Sequence, residues 1–136
     1  MESKSTQKQR ILIVDDDESI RTGLSDLLVL EGYEVVIAEN GSIARHLYQN
    51  YPFDLIITDI IMPSTDGLRF ILEIIDYDAD AKILAMSGGG RSGTLSLLET
   101  AKKFGAMTAL RKPLSVEEVI SAVEEALQEE NNLERS

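Results

Sequence analysis

Four places in the chain carry residues able to do chemistry, and each closes a short apolar run. Asp15-Asp16-Asp17 follow Ile11–Val14, and Asp59 follows Leu55–Thr58 and leads into Ile60-Ile61-Met62-Pro63 and Asp66-Gly67. Ser87 closes Ile83–Met86 ahead of Gly88-Gly89-Gly90, and Lys112-Pro113 comes just after Met107–Leu110. Two carboxylates about 4 Å apart repel by about 4 kcal/mol at an effective dielectric of about 20, so gathering several at one edge is unfavourable unless a cation lies among them. Oxygen-only ligands with positions left to water and phosphate suit Mg²⁺. With no His or Cys nearby, zinc is not favoured. A carboxylate can also attack phosphorus and form an aspartyl phosphate. Transfer then needs the equatorial phosphoryl oxygens neutralised, which a metal, a lysine and a hydroxyl supply; Lys112 and Ser87 are the candidates.

Plainer readings apply to several of these residues. Asp17 and Glu18 fit as acids in the first turn of a helix, where its dipole favours them. Ser87 alone reads as a loop hydroxyl. Gly88-Gly89-Gly90 lacks the Lys-Ser/Thr ending of a P-loop and reads as a loop that lets backbone approach a phosphate. His46, between Arg45 and Leu47, reads as a surface histidine, and the methionines as core filler.

The elements that must position these residues are legible from periodicity. The runs Ile11–Val14, Tyr33–Ala38, Leu55–Thr58, Ile83–Met86 and Met107–Leu110 are mostly continuous, as suits strands buried on both faces of a parallel sheet. Between them Ile20, Leu24, Leu27 and Leu28 mark a helix stopped by Gly32, and Asn40 or Ser42 opens one carrying Ile43, Ala44 and Leu47. A third helix, from about Gly67 to Ile75, is apolar at Leu68, Ile71, Leu72 and Ile75. A fourth carries Leu97, Leu98, Ala101 and Phe104 and stops at Gly105. The last has Val116, Val119, Ile120, Val123 and Leu127, and opens on Ser115 and Glu118 spaced as a capping box. Five strand–helix repeats predict an α/β fold, a parallel sheet with helices on both faces. Its site belongs beyond the carboxyl ends of the strands. One domain over residues 10–128 is expected, with residues 1–9 and 129–136 as flexible ends.

Composition bounds the rest. The 136 residues are 43% hydrophobic, enough for a core, and without cysteine neither a disulfide nor a thiol nucleophile is available. No apolar run reaches the roughly 18–20 residues of a membrane span. The polar start Met1–Arg10 lacks the apolar segment of a secretory signal, so a cytoplasmic protein is expected. A net charge of −11 repels nucleic acid and anionic membranes, so neither is expected as a direct partner.

Taken together, Asp15-Asp16, Asp59 with Met62-Pro63 and Asp66-Gly67, Ser87, and Lys112-Pro113 resemble the receiver domains of two-component signalling. The likeness covers about Arg10 to Leu127. It implies a flavodoxin-like five-stranded sheet of order 2-1-3-4-5 and a switch that takes a phosphoryl group from a sensor histidine kinase or phosphotransfer protein and signals to a downstream protein. It makes Asp59 the phosphoacceptor, with Asp16 and Asp59 binding Mg²⁺ directly, Asp15 acting largely through water, and the Ile61 carbonyl as a further ligand. Lys112 would contact the phosphoryl oxygens ahead of a cis peptide to Pro113, and Ser87 would move to hydrogen-bond the phosphate. Kinases would dock near Ile20 and Leu114, taken as an exposed apolar pair. Such a domain is no turnover enzyme; it catalyses only its own phosphotransfer and autodephosphorylation.

The sequence departs from many receivers at Ala109, where they carry the Tyr or Phe whose ring turns inward. Without a ring, the signal is expected to leave by ordering of the loop Gly88–Ser92. Two other functions compete. Asp15 and Asp17 have the Asp-x-Asp spacing of haloacid-dehalogenase-type phosphohydrolases, although Glu18 follows where those have Thr or Val. A degenerate receiver would only bind. A flavodoxin is disfavoured because three aspartates would repel the flavin phosphate.

Overall fold

In a computed structural model, residues 8–62, 65–88 and 94–135 are described. Five strands, β1 (Arg10–Val14), β2 (Glu34–Ala38), β3 (Leu55–Asp59), β4 (Ile83–Gly88) and β5 (Thr108–Lys112), form one parallel sheet of order β2-β1-β3-β4-β5. The helices are α1 (Glu18–Leu30), α2 (Gly41–Asn50), α3 (Gly67–Tyr77), α4 (Thr94–Phe104) and α5 (Val116–Arg135). This is the sheet order the resemblance implies. The periodicity reading missed a two-residue antiparallel ladder, Ile61–Met62 with Thr65–Asp66, outside the main sheet.

The continuous apolar runs belong to the inner strands. β3 is buried throughout, as are Ile11–Val14 of β1 and Ile83–Ser87 of β4, whereas the edge strands β2 and β5 are only partly covered. Alternation along β1 splits the core. Ile11 and Ile13 pack with Leu24 and Leu28 of α1 and Val119 and Val123 of α5, while Leu12 and Val14 pack with Ala44 of α2, Phe70 and Ile71 of α3 and Ala101 of α4.

The helix ends follow local chemistry. Asn40 caps α2 by accepting the Ile43 N–H at 2.9 Å, and Ser115 accepts the Glu118 N–H at 3.0 Å ahead of α5. Gly32 (φ 100°) and Gly105 (φ 129°) leave α1 and α4 in the left-handed region that favours glycine. α5 continues to Arg135, past the expected boundary at residue 128. Among the described residues no helix is long and apolar enough to cross a membrane.

In α3 the structure corrects the expected face. Gly67, Phe70, Ile71 and Ile74 are buried, and Leu72 is exposed. Six apolar residues in eleven leave the phase ambiguous, and it is set at the helix start. Asp66 caps α3 by accepting the Leu68 N–H at 3.0 Å, and the Gly67 N–H donates to the Ile60 carbonyl at 2.9 Å. A Cβ on Gly67 would overlap the Ile60 carbonyl oxygen and stand 2.6 Å from the Asp59 carbonyl oxygen. Both are backbone atoms, which cannot swing aside. Gly67→Ala should therefore lower stability in urea denaturation by about 1–3 kcal/mol, the usual range for over-packing. An unchanged midpoint would show that the approach of α3 to β3 is slack.

Candidate functional site

β1 and β3 are neighbours whose chains leave in opposite directions across the sheet, so a crevice opens beyond their carboxyl ends. Asp15 follows β1 and Asp59 ends β3 there. Carboxylate oxygens of Asp15, Asp16 and Asp59 all lie within 4.8 Å of one another. β5 brings Lys112 in from two strands away. Its ammonium donates to Asp15 Oδ2 at 2.9 Å and to Asp59 Oδ2 at 3.3 Å. The Lys112–Pro113 peptide is cis, as the resemblance implies.

The three acids differ in surroundings. Asp15 is fully buried, pairs with Lys112, and accepts the Asp17 N–H on Oδ1 at 3.0 Å. Asp16 is exposed. Asp59 is 5% exposed and has the longer share of Lys112, plus a 3.4 Å bond from the Ile61 N–H. Burial is the main reason its carboxyl is pushed up to about 6; the Asp15 charge adds to the rise and Lys112 opposes it. For the Lys112 ammonium, burial acts downward. The hydrogen bond to Asp15 and the charges of Asp59 and Asp15 outweigh it and hold the ammonium above its usual value.

Ser87 is also brought to this edge. It is fully buried, and among the described residues its hydroxyl makes one long bond, 3.4 Å, to the Gly88 carbonyl. Asp17 is not part of the carboxylate group. It caps α1, accepting the Ser19 N–H at 2.9 Å and the Ser19 hydroxyl at 2.7 Å, and these bonds lower its pKa. With Asp17 turned to the helix, the Asp-x-Asp pair needed by a phosphohydrolase is not assembled. The sequence reading missed two supports: Arg21 donates to the Asp15 carbonyl at 2.8 Å, and the Thr58 hydroxyl donates to the Asp59 carbonyl at 3.0 Å. An arginine one turn into the helix after an acidic strand end was the available signal.

Ile20 and Leu114 are not an exposed pair. Both are half-buried against the α1/α5 core and line a groove of about 380 Å³ with Leu24, Leu27, Pro113 and Val116. His46 is exposed, and Met62 and Met86 are buried. Ala109 pairs with Ala85 in the sheet and borders a cleft of about 710 Å³ between α4 and α5. Pro63 and the segment Gly89–Ser92, on which the loop-ordering expectation rests, lie outside the described residues.

Known proteins resemble this chain over most of its length. The family model of the response regulator receiver domain matches residues 11–124. The chain is 39% identical over 119 residues to the chemotaxis protein CheY of Bacillus subtilis, covering 87% of this chain and 97% of that one. It is 30% identical to the sporulation initiation phosphotransferase F of the same organism, over 91% and 98% of the two chains. The crystal structure of a CheY-like receiver domain protein from Methanospirillum hungatei superposes with a TM-score of 0.85 at 27% identity, covering 93% and 98%. The matches therefore define a receiver module of two-component systems. The chain belongs to the response regulator receiver domain family.

Proposed function

We propose that this receiver is phosphorylated on Asp59 with Mg²⁺ bound, taking the phosphoryl group from a histidine kinase or phosphotransfer protein in the cytoplasm. The observation that carries the reading is the lysine-bridged acidic cluster, in which Asp59 ends β3 beside Asp15, Asp16 and Lys112. An Asp59 carboxylate oxygen attacks phosphorus, a P–O bond forms, and the P–N bond to the donor imidazole breaks with its electron pair returning to the ring. Asp16 and Asp59, with Asp15 through water and the Ile61 carbonyl, would hold the ion; an all-oxygen set of three close carboxylates fits Mg²⁺. The bound ion supplies positive charge against the phosphoryl oxygens. Lys112 neutralises a further oxygen, and the Ser87 hydroxyl, whose bond to the Gly88 carbonyl is long, turns to donate to the phosphate. Autodephosphorylation by water returns the switch to its start.

The same site makes a switch rather than a turnover catalyst. Incubation with a small acyl phosphate and Mg²⁺ should give one phosphoryl group per chain, while p-nitrophenyl phosphate is hydrolysed at no more than background rate. Steady turnover of that ester would instead support the phosphohydrolase reading.

The apolar groove between α1 and the turn after β5 borders the acidic edge, and we assign kinase docking to it. Ile20→Glu should cut phosphotransfer from the partner kinase by about tenfold or more while labelling by small phosphodonors persists. Because Ile20 is half-buried, its melting temperature must be measured alongside. Loss of both kinds of labelling with a lowered melting temperature would place Ile20 in the core alone.

A further inference from the structure

The opposite edge of the sheet, where the strands begin, holds an aromatic cluster that phosphorylation chemistry does not use. Tyr48 ends near the close of α2, Tyr51, Pro52 and Phe53 lead into β3, and Tyr77 and Asp78 close α3. Together they line a surface cleft of about 520 Å³. Tyr48 and Phe53 stack with centroids 6.3 Å apart and planes 13° from parallel, and Tyr77 stands edge-on to Tyr48 at 6.4 Å. Tyr51 and Tyr77 are each 55% exposed, an unusual share of open aromatic surface for a chain with 5% aromatic residues.

Two carboxylates, Asp78 and Asp54, lie beside these rings, and the Arg10 guanidinium covers Phe53. Asp78 Oδ2 accepts the Tyr48 hydroxyl at 2.7 Å, and Oδ1 accepts the Asp80 N–H at 3.0 Å. Neither bond brings a positive charge, and among the described residues no Lys, Arg or His lies within ion-pair distance of Asp78. Asp54 accepts the Arg10 backbone N–H at 2.8 Å. Burial first, then the hydrogen bond to Asp78 and the charges of Asp78, Tyr77 and Asp54, hold the Tyr48 phenol well above its usual pKa. Aromatic faces and an uncompensated carboxylate both attract organic cations. The cluster already shows the preferred shape. The Arg10 guanidinium lies 4.9 Å from the Phe53 centroid and donates to the Pro52 carbonyl at 2.9 Å.

The geometry points to a second recognition site at this edge, in which an arginine side chain of a protein partner stacks against Tyr51 and Tyr77 and pairs with Asp78. A planar guanidinium suits the rings and the carboxylate together better than a compact ammonium. Exposed tyrosines around an open cleft also match the make-up of protein interfaces more than that of enclosed solute pockets. The site lies at the end of the sheet away from Asp59, so it can tether a partner in either phosphorylation state.

The test uses the full chain with Mg²⁺, titrated with a blocked Ala-Arg-Ala peptide and followed by amide chemical shifts. Shifts should concentrate at Gln49–Asp54 and Tyr77–Asp80. The lysine peptide should bind several-fold more weakly, and the neutral citrulline peptide should not bind measurably. Asp78→Asn keeps an acceptor for Tyr48 yet removes the charge, and it should weaken binding by about tenfold, as should Tyr51→Ala. Both variants should keep the wild-type melting temperature and acyl phosphate labelling. Equal binding of the citrulline peptide, or shifts confined to the Asp15–Asp59 edge, would overturn the proposal. So would an Asp78→Asn variant that binds undiminished. Methylguanidinium bound as tightly as the peptide would overturn the assignment to a protein partner.

Discussion

Lys112→Ala should be among the most destabilising single substitutions at the acidic edge, costing about 3–5 kcal/mol in metal-free denaturation at neutral pH, the range for breaking a buried ion pair. The lysine is the one cation paired with both Asp15 and Asp59 among the described residues. Asp15 is fully buried, so removing its partner leaves a charge that water does not reach. The loss should shrink in Lys112→Ala/Asp15→Asn, where no buried charge is stranded at Asp15, and also under acid, where Asp59 takes up its proton. Chemical denaturation of the two variants at two pH values checks this. A cost below about 1 kcal/mol, the level of an exposed pair, would show that solvent already screens the cluster.

Asp59→Asn should act in the opposite direction. With the Asp59 carboxyl raised from 3.8 to about 6, the folded protein holds this proton more tightly than the unfolded chain does. The penalty is therefore absent below about pH 4, grows as pH rises through about 6, and is complete above it. A displacement of about two pH units corresponds to about 3 kcal/mol. Metal-free Asp59→Asn should thus be more stable than wild type at pH 7–8 by an amount of that order, and nearly equal to it at pH 4. Asp16 is exposed, so Asp16→Asn should change the metal-free melting temperature far less. Mg²⁺ should narrow the gap, because binding only the folded site stabilises wild type by about 2.7 kcal/mol at 100 times the dissociation constant. Thermal melts with and without chelator across this pH range give the answer. A wild-type protein as stable as Asp59→Asn at pH 8 without metal would mean that Asp59 is not strained.

The site was largely legible in the sequence because each chemical residue sits where an apolar run stops, and parallel strands align those stops at one edge. Asp15, Asp59, Ser87 and Lys112 needed no side-chain detail to be brought together. Their inequality was not legible. Three consecutive aspartates look alike in one dimension, yet Asp15 is buried, Asp16 is exposed and Asp17 is spent on capping α1. That division depends on where the helix begins. The face of α3 was misread for a similar reason: its apolar residues surround the axis, and the close approach of Gly67 to Ile60 chooses among them. Ile20 and Leu114 were expected to be exposed on the strength of the resemblance, but each packs against the α1/α5 core. The tyrosine cleft had no motif at all, since its rings come from two helices and a loop.

Which carboxylate holds the phosphorus is the most direct question to put to this protein. After treatment with acyl phosphate and Mg²⁺, proteolysis and mass spectrometry should find a single phosphoryl group on the peptide containing Asp59, and none anywhere in Asp59→Asn. A phosphoryl group on the peptide containing Asp15–Asp17, or undiminished labelling of Asp59→Asn, would contradict the account.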